Sequence, residues 1–401
     1  MDVAGIIAEY NPLHLGHTLQ IRRTRELLGA DSAVVCVMSG NFVQRGDFAL
    51  VRKHARAEAA VRSGADLVVE LPLPWAVSSA EGFAEGAVQV LAGTGVVTHL
   101  SFGSECGDAA LLQEVAAALD SAEYSDRLRT LLEGGMSYAA CRQAAVEDIL
   151  GTEKAAVLEK PNNNLGVEYC RALSRRNSSI SPVAILRQGA EHDGCAVDGI
   201  ASASEIRRLV RQGETEEALV LMAPAMAEIY RREEAAGRAP VLAETSERAM
   251  LARLRSMTEA EFGRLDEGGE GLGNRFCAAV RTASGLQELL EGVKTKRYAY
   301  ARLRRMVLWA YLGLEPGSRP EKVPYLRILA ANERGRTLLR QMREMTALPV
   351  ITKPAEARQL SEDARSVFEL EAKATDLYTL GYPRLEAAAG SFEWRESPVI
   401  L

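Results

Sequence analysis

The stretch Val3-Ala4-Gly5-Ile6-Ile7-Ala8-Glu9-Tyr10-Asn11-Pro12-Leu13-His14-Leu15-Gly16-His17 decides how the chain is read. Residues 3–8 are all apolar or small, the pattern of a strand buried on both faces of a parallel sheet. A Pro-containing turn ends the run and leads into an H-x-G-H at the start of a segment with helical apolar spacing. Two of the five histidines fall within those four residues. Gly16 has no side chain, so a nucleotide can press against the backbone there, facing the free amides and positive dipole end of a helix. His14 and His17 lie three apart on one turn and can both donate hydrogen bonds to phosphate oxygens as charge builds during displacement at an α-phosphorus. That chemistry is adenylyl transfer. The plainer competing reading is that the two imidazoles cap the helix or pack below it.

Working outward, short β-branched runs at residues 3–9, 32–38, 66–71, 99–103 and 183–187 read as strands, with helical spacing at 17–28, 51–63 and 79–91 between them. The expected fold is α/β, a doubly wound, parallel, Rossmann-like sheet. In such a sheet a ligand sits beyond the carboxyl ends of the strands, here the segments after Glu9, Met38, Leu71, Gly103 and Arg187. From about residue 213 Glu, Arg, Ala and Leu dominate and strand-like runs almost vanish, so 1–212 reads as a nucleotide-binding catalytic domain and 213–401 as a mainly α-helical one. The Gly-rich stretch at 266–273 reads as a loop before a helix beginning near Asn274, and its spacing fits no phosphate loop.

The 401 residues are 47% hydrophobic and 25% charged, ordinary globular proportions that exclude a disordered or collagen-like chain. With 48 basic against 54 acidic residues the net charge is −6, so any RNA contact must be regional. One region qualifies. Residues 292–314 carry Lys294, Lys296, Arg297, Arg302, Arg304 and Arg305, with Tyr298, Tyr300, Trp309 and Tyr311 interleaved and no acidic residue. The alternative there is a solvated amphipathic helix. Arg334, Arg336, Arg340 and Arg343 are flanked by Glu333 and Glu344 and read as a helix face laced with ion pairs. The longest apolar stretch, 67–77, is broken by Glu70, Pro72 and Pro74, so no membrane span is expected, and the N-terminus has no signal-peptide pattern. A cytoplasmic protein with reduced thiols follows. The six cysteines stand singly, without zinc-site spacing, and no protein-bound metal is expected; Cys36 reads as a small buried hydrophobe. Arg45, with Lys53 and His54 after the second strand, could approach phosphate or RNA, or be plain surface charge. His192-Asp193 could be an acid/base pair or a satisfied loop histidine.

A second element lies downstream. Ser202-Ala203-Ser204-Glu205-Ile206-Arg207 places hydroxyls and free amides at a helix start with an arginine one turn in, a local anion site. Asn11-Pro-x-His14-x-Gly16-His17 directly after the first strand resembles the HIGH signature of the nucleotidyltransferase superfamily. The S-x-S-x-I-R resembles the Ser-rich sequence that holds outgoing pyrophosphate in those enzymes. Between and beyond the two, Met38-Ser-Gly-Asn-Phe-Val-Gln-Arg-Gly46, Ala65-Asp-Leu-Val-Val-Glu-Leu-Pro72, Ser101-Phe-Gly-Ser-Glu105, Lys160-Pro-Asn-Asn-Asn-Leu-Gly166 and Lys294-Thr-Lys-Arg297 occur in the order of the tRNA(Met) cytidine acetate ligase family, over essentially the whole chain.

That resemblance implies adenylation of acetate by ATP and transfer of the acetyl group to N4 of the wobble cytidine of elongator tRNA(Met). It implies ATP contacts from Ile7, Ala8, Glu9, Tyr10, Asn11, Pro12, Leu13, His14, Leu15, Gly16, His17, Thr18, Leu19 and Gln20, and from Gly103, Asn162, Arg187 and Gln188. His14 and His17 take the catalytic role, Ser202, Ser204 and Arg207 the pyrophosphate side, and the six cations of 292–314 the tRNA. Mg²⁺ is expected with the triphosphate. No G-x-S-x-G or paired Cys/His signal is present, so no acyl-enzyme is expected. Two other functions stay open at this point: a small-metabolite adenylyltransferase, and a non-catalytic RNA-docking protein.

Overall fold

The computed structural model describes residues 1–134, 136–187, 201–269 and 271–401. Five strands form where the β-branched runs lie: β1 (Val3–Ala8), β2 (Ala33–Ser39), β3 (Leu67–Leu71), β4 (His99–Ser104) and β5 (Ser181–Leu186). They pair in the order β3-β2-β1-β4-β5, all parallel, with Val3 opposite Ala33 and Ala8 opposite Met38. Every residue of β2 and β3 is buried, which explains why these strands show no polar alternation. The pleat still divides them. Val35 and Val37 enter the core under α3 (Ala80–Gly93), whereas Val34, Cys36 and Met38 enter the one under α1 (Leu15–Leu28) and α2 (Lys53–Arg62). At Gly5 an added Cβ would lie 2.6 Å from Leu91, so glycine is what lets α3 close onto β1. Strand order reverses at β1, and a crevice opens between the carboxyl ends of β1 and β4.

Two further helices matter to that crevice: α4 (Pro161–Arg175), crossing between β4 and β5, and α5 (Ala203–Arg211), the Ser-capped late helix. The helices between Glu247 and Leu312 build a separate apolar core that continues into Phe42, Phe48, Leu73 and Val77 of the first part. The last helix of this group, α6 (Tyr300–Leu312), is tied to it by Trp309, whose Nε1 donates to the Val77 carbonyl at 2.8 Å. No described helix is long and apolar enough to cross a membrane.

Within 213–401, expected to be mainly α-helical, the described residues also hold three strands. Strand β6 (Leu326–Ala331) returns to the main sheet and pairs antiparallel with β3. Two short strands, β7 (Val350–Ile351) and β8 (Val399–Ile400), pair parallel with β6. All six residues of β6 are buried, Arg327 among them, and a short, mostly apolar run covered on both faces has no period that separates strand from helix. Further along, α7 (Glu362–Thr379) delivers Glu371 to a buried charge cluster around Lys53, whose Nζ lies 3.9 Å from its carboxylate. Cys36 is fully buried, as its apolar surroundings imply, and its Sγ meets the Tyr10 hydroxyl at 3.3 Å.

Candidate active site at the carboxyl edge of the sheet

His14 is the N-cap of α1 and His17 its third residue, and the two form a reciprocal capping box. The Gly16 amide donates to His14 Nδ1 at 3.1 Å, and the His14 amide donates to His17 Nδ1 at 3.2 Å. Each ring therefore uses Nδ1 as an acceptor, and each neutral imidazole carries its hydrogen on Nε2. The rings lie 3.8 Å apart between centroids. Tyr10 holds φ at 48°, in the left-handed region uncommon for a non-glycine residue, and sets its ring edge-on to His17 at 5.0 Å. The His17 imidazole is pushed well below its ordinary range, first by burial and then by His14 and Arg187. Capping and ligand contact stand as alternatives in the sequence. Here the same rings cap the helix through Nδ1 and line a cavity.

That cavity, about 250 Å³, spans the carboxyl ends of β1 and β4. Of the segment expected at the nucleotide, Ile7, Ala8, Glu9, Tyr10, Asn11, His14, His17 and Gln20 line it. Pro12, Leu13, Leu15, Gly16, Thr18 and Leu19 do not: Leu13 is fully buried, the Thr18 hydroxyl bonds the Leu15 carbonyl at 2.8 Å, and the Gly16 amide is taken by His14. The first-turn amides of Gly16, His17 and Thr18 are all bonded to His14, which corrects the reading that they stand free for phosphate. Asn11 is likewise occupied in bracing: its Oδ1 accepts from Leu50 at 2.8 Å and its Nδ2 donates to the Phe48 carbonyl at 3.3 Å.

Gly103, Asn162 and Arg187 meet on the opposite wall. Arg187 crosses Gly103 so closely that an added Cβ would lie 3.2 Å from its Cγ, and its guanidinium donates to Asn162 Oδ1 at 3.5 Å. Glu105, to which residue type and spacing give no role, fixes this wall. Its carboxylate accepts from Asn162 Nδ2 at 2.6 Å and from the Asn163 amide at 2.8 Å, while Asn163 Oδ1 accepts the Glu105 amide at 2.8 Å. Phe83, Phe102, Leu165 and Tyr169 supply the apolar lining. Leu165 and Tyr169 are four apart on α4 and so share a face, a signal the sequence carried. Gln188, His192 and Asp193 lie outside the described residues.

On the third side, Ser202 caps α5 by accepting the Glu205 amide at 3.1 Å. Arg207 donates to the Asn11 carbonyl at 2.6 Å and to Ser204 Oγ at 3.3 Å, which joins the two motifs across 196 residues. Ser202, Ser204 and Arg207 all line the cavity, together with Gln44 and Arg45. Lys53 and His54 point away. Lys53 is buried with Nζ 2.6 Å from Glu70 and 2.7 Å from Glu393, and His54 Nδ1 lies 2.9 Å from Glu396.

The basic run divides as well. Lys296, Arg297 and Arg304 are exposed. Lys294 lies partly covered over the Tyr300 ring, 5.3 Å from its centroid. Arg305 is 7% exposed, with Nε and Nη2 each 2.7 Å from the Glu267 carboxylate, and Arg302 donates to the Glu267 carbonyl at 2.7 Å. In this structure these two brace the Gly-rich loop. Their shared partner, Glu267, lies thirty-five or more residues away in that loop, and Arg305 also donates to the Gln44 carbonyl at 3.2 Å.

A parallel sheet carrying paired imidazoles at its first helix and a Ser-capped, arginine-bearing late helix across the same crevice defines a nucleotidyltransferase-type enzyme. The profile of the HIGH Nucleotidyl Transferase family matches residues 1–391. The chain belongs to that family, on the branch of the tRNA(Met) cytidine acetate ligases. Relatives of that name from Fervidobacterium nodosum and Acetivibrio thermocellus are each 36% identical, covering 98% and 100% of this chain and 99% and 100% of their own. Among solved structures, apo TmcAL of Thermotoga maritima is similar with a TM-score of 0.95 at 35% identity and full coverage of both chains. The same protein bound with alpha-thio ATP gives 0.94 at 35% identity, covering 100% of this chain and 99% of that one.

Proposed function

We propose that this chain activates acetate with ATP and transfers the acetyl group to N4 of the wobble cytidine of elongator tRNA(Met). The observation that carries the reading is the meeting of His14, His17, Ser204 and Arg207 on one cavity at the switch point of the sheet, in a chain similar from end to end to ligases named for that reaction. ATP would lie with its adenosine between Gly103 and the apolar wall of Phe102, Leu165 and Tyr169, and with its phosphates toward α1 and α5. Acetate is a poor acyl donor. Attack of its carboxylate on the α-phosphorus forms one O–P bond and breaks the bond to the β-phosphate, giving acetyl-adenylate and pyrophosphate. The Nε2–H groups of His14 and His17 would meet charge developing on the α-phosphate, and Ser204 and Arg207 the departing pyrophosphate. Gln188 is assigned to ATP by the same family resemblance.

Mg²⁺ enters with the triphosphate as part of the substrate. The amine of cytidine then attacks acetyl-adenylate directly, with no acyl-enzyme, so the protein's work is positioning and charge neutralisation. Lys294, Lys296, Arg297 and Arg304 remain as RNA contacts, and the cytoplasm is where ATP, acetate and tRNA meet. Incubation of the purified chain with ATP, labelled acetate and unmodified elongator tRNA(Met) is expected to release AMP and pyrophosphate and to label the RNA. Turnover that ignores acetate and leaves the RNA unlabelled would overturn the reading.

A further inference from the structure

A second, larger cavity of about 630 Å³ opens beside the first. The two share Glu9, Asn11, Arg45, Ser204 and Arg207, so ligands in the two would abut. The far walls of the second come from the helical part, with Leu286, Gln287 and Leu290 on one side and Tyr300, Arg304 and Val307 on the other. Tyr300 is 39% exposed and Arg304 is exposed, so an aromatic ring and a cation stand at the rim, a few residues after the exposed Lys296 and Arg297.

We propose that this second cavity is the acceptor chamber, which takes an unstacked cytosine entering past Tyr300 and Arg304, and that Glu9 at the junction receives the proton the exocyclic amine gives up. The inference rests on the ligase reading above. Its volume lies within the roughly 300–1,000 Å³ of small-molecule sites. Leu286, Leu290 and Val307 offer apolar contact to a base face, Tyr300 a stacking surface, and Arg304 a partner for backbone phosphate. Glu9 is selected among the carboxylates by position and by elimination. It is the acidic residue that lines both cavities among the described residues. Asp47 and Glu244, elsewhere on the chamber wall, are paired with Arg211 at 3.0 and 3.1 Å, and Glu247 accepts the Leu286 amide at 2.7 Å. The Gln44 amide holds Glu9 Oε1 at 2.7 Å, fixing the carboxylate at the boundary. Burial raises its pKa against the lowering by Gln44, Arg207, Arg45 and Arg56, which strengthens it as a base.

The step balances. The N4 lone pair attacks the acetyl carbonyl carbon and a C–N bond forms. The C–O bond to the phosphate breaks, its electron pair leaving with AMP, and the amine proton passes to Glu9 and on to solvent.

Gln287 is exposed, so Gln287→Trp fills the chamber from its rim without entering a core. Acetate-dependent ATP–pyrophosphate exchange by the full chain without RNA is expected to persist, while acetyl transfer to elongator tRNA(Met) falls about 10²-fold because the base is misplaced. Transfer at the unmodified rate would overturn the chamber. Supplied with synthetic acetyl-adenylate, Glu9→Gln is expected to transfer about 10²–10⁴-fold more slowly, the usual worth of a general base; equal rates would remove Glu9 from the proposal. A readout independent of acetate chemistry separates this inference from the ligase reading. tRNA(Met) carrying 4-thiouridine at the wobble position is expected to photocrosslink to the chamber wall at Tyr300 or at Met250, which also lines it, and adducts confined to other surfaces would refute it even if the chain turned out not to use acetate.

Discussion

Replacing His14 separates its two structural tasks. As N-cap its Nδ1 accepts the Gly16 amide at 3.1 Å, and as cavity wall it presents Nε2–H to the site. His14→Ala removes both. Loss of the cap costs about 1 kcal/mol of stability, and loss of one preorganised donor to the developing charge costs about 10²–10³ in rate, or about 3–4 kcal/mol of barrier. His14→Ser restores a hydroxyl acceptor at a position where serine is among the best caps, but it has nothing that reaches where Nε2 stood. Urea titration is therefore expected to show the alanine variant destabilised and the serine variant close to the parent. Acetate-dependent ATP–pyrophosphate exchange is expected to fall about 10²–10³-fold in both. A serine variant that exchanges at the parental rate would show that the imidazole only caps the helix, and the assignment of charge stabilisation to His14 would fail.

Other perturbations test separate parts of the structure. Because the His17 imidazole sits well below 6.5 in the folded chain, the unfolded chain takes up that proton first as pH falls. Its contribution to stability is therefore present above 6.5 and is lost below it, with a slope of up to about 1.4 kcal/mol per pH unit, and His17→Asn is expected to remove that slope from urea titrations. Lys53→Met strands Glu70 and Glu393, which hold its ammonium at 2.6 and 2.7 Å inside the protein, and is expected to cost about 3–5 kcal/mol of unfolding free energy. Wild-type stability of that variant would show the cluster to be dispensable. In filter binding, the double change Lys296→Ala and Arg297→Ala is expected to weaken tRNA affinity and to flatten the slope of log affinity against log salt by about 0.7 for each phosphate no longer neutralised, with folding unchanged. Arg305→Ala is expected to do the reverse, lowering stability through the stranded Glu267 carboxylate while the salt dependence stays as it was.

The parts of this molecule that sequence reasoning reached are those whose cause is local. β1, β2 and β3 are mostly apolar, β-branched runs because both sheet faces are covered, and the turn after β1 carries its chemistry within a few residues. β6 is harder to read, since burial on both faces leaves no period and the run leads into a helix rich in Arg and Glu. Arg327 within β6 deepened the disguise. A buried strand with a charge reads as amphipathic helix until its carboxylate partner, Glu393 at 3.6 Å, is seen.

The site divides along the same line. A residue type and a spacing say what a group can do, whereas what it does depends on which donors are already engaged. Gly16 was expected to offer its amide to phosphate, and His14 takes it; Arg305 was expected to offer its guanidinium to RNA, and Glu267 takes it. In both cases the partner sits where a side chain, not the backbone, closes the contact, which pattern alone does not encode. The consequence for chemistry is specific. Because the Gly16, His17 and Thr18 amides are bonded to His14, the reading proposed above leaves charge at the α-phosphate to the Nε2–H groups of His14 and His17, whose orientation is set by the helix cap that uses those amides. On that proposal, catalytic geometry and helix initiation share one set of hydrogen bonds, so a substitution that relaxes the cap of α1 is expected to displace both imidazoles even where it removes neither.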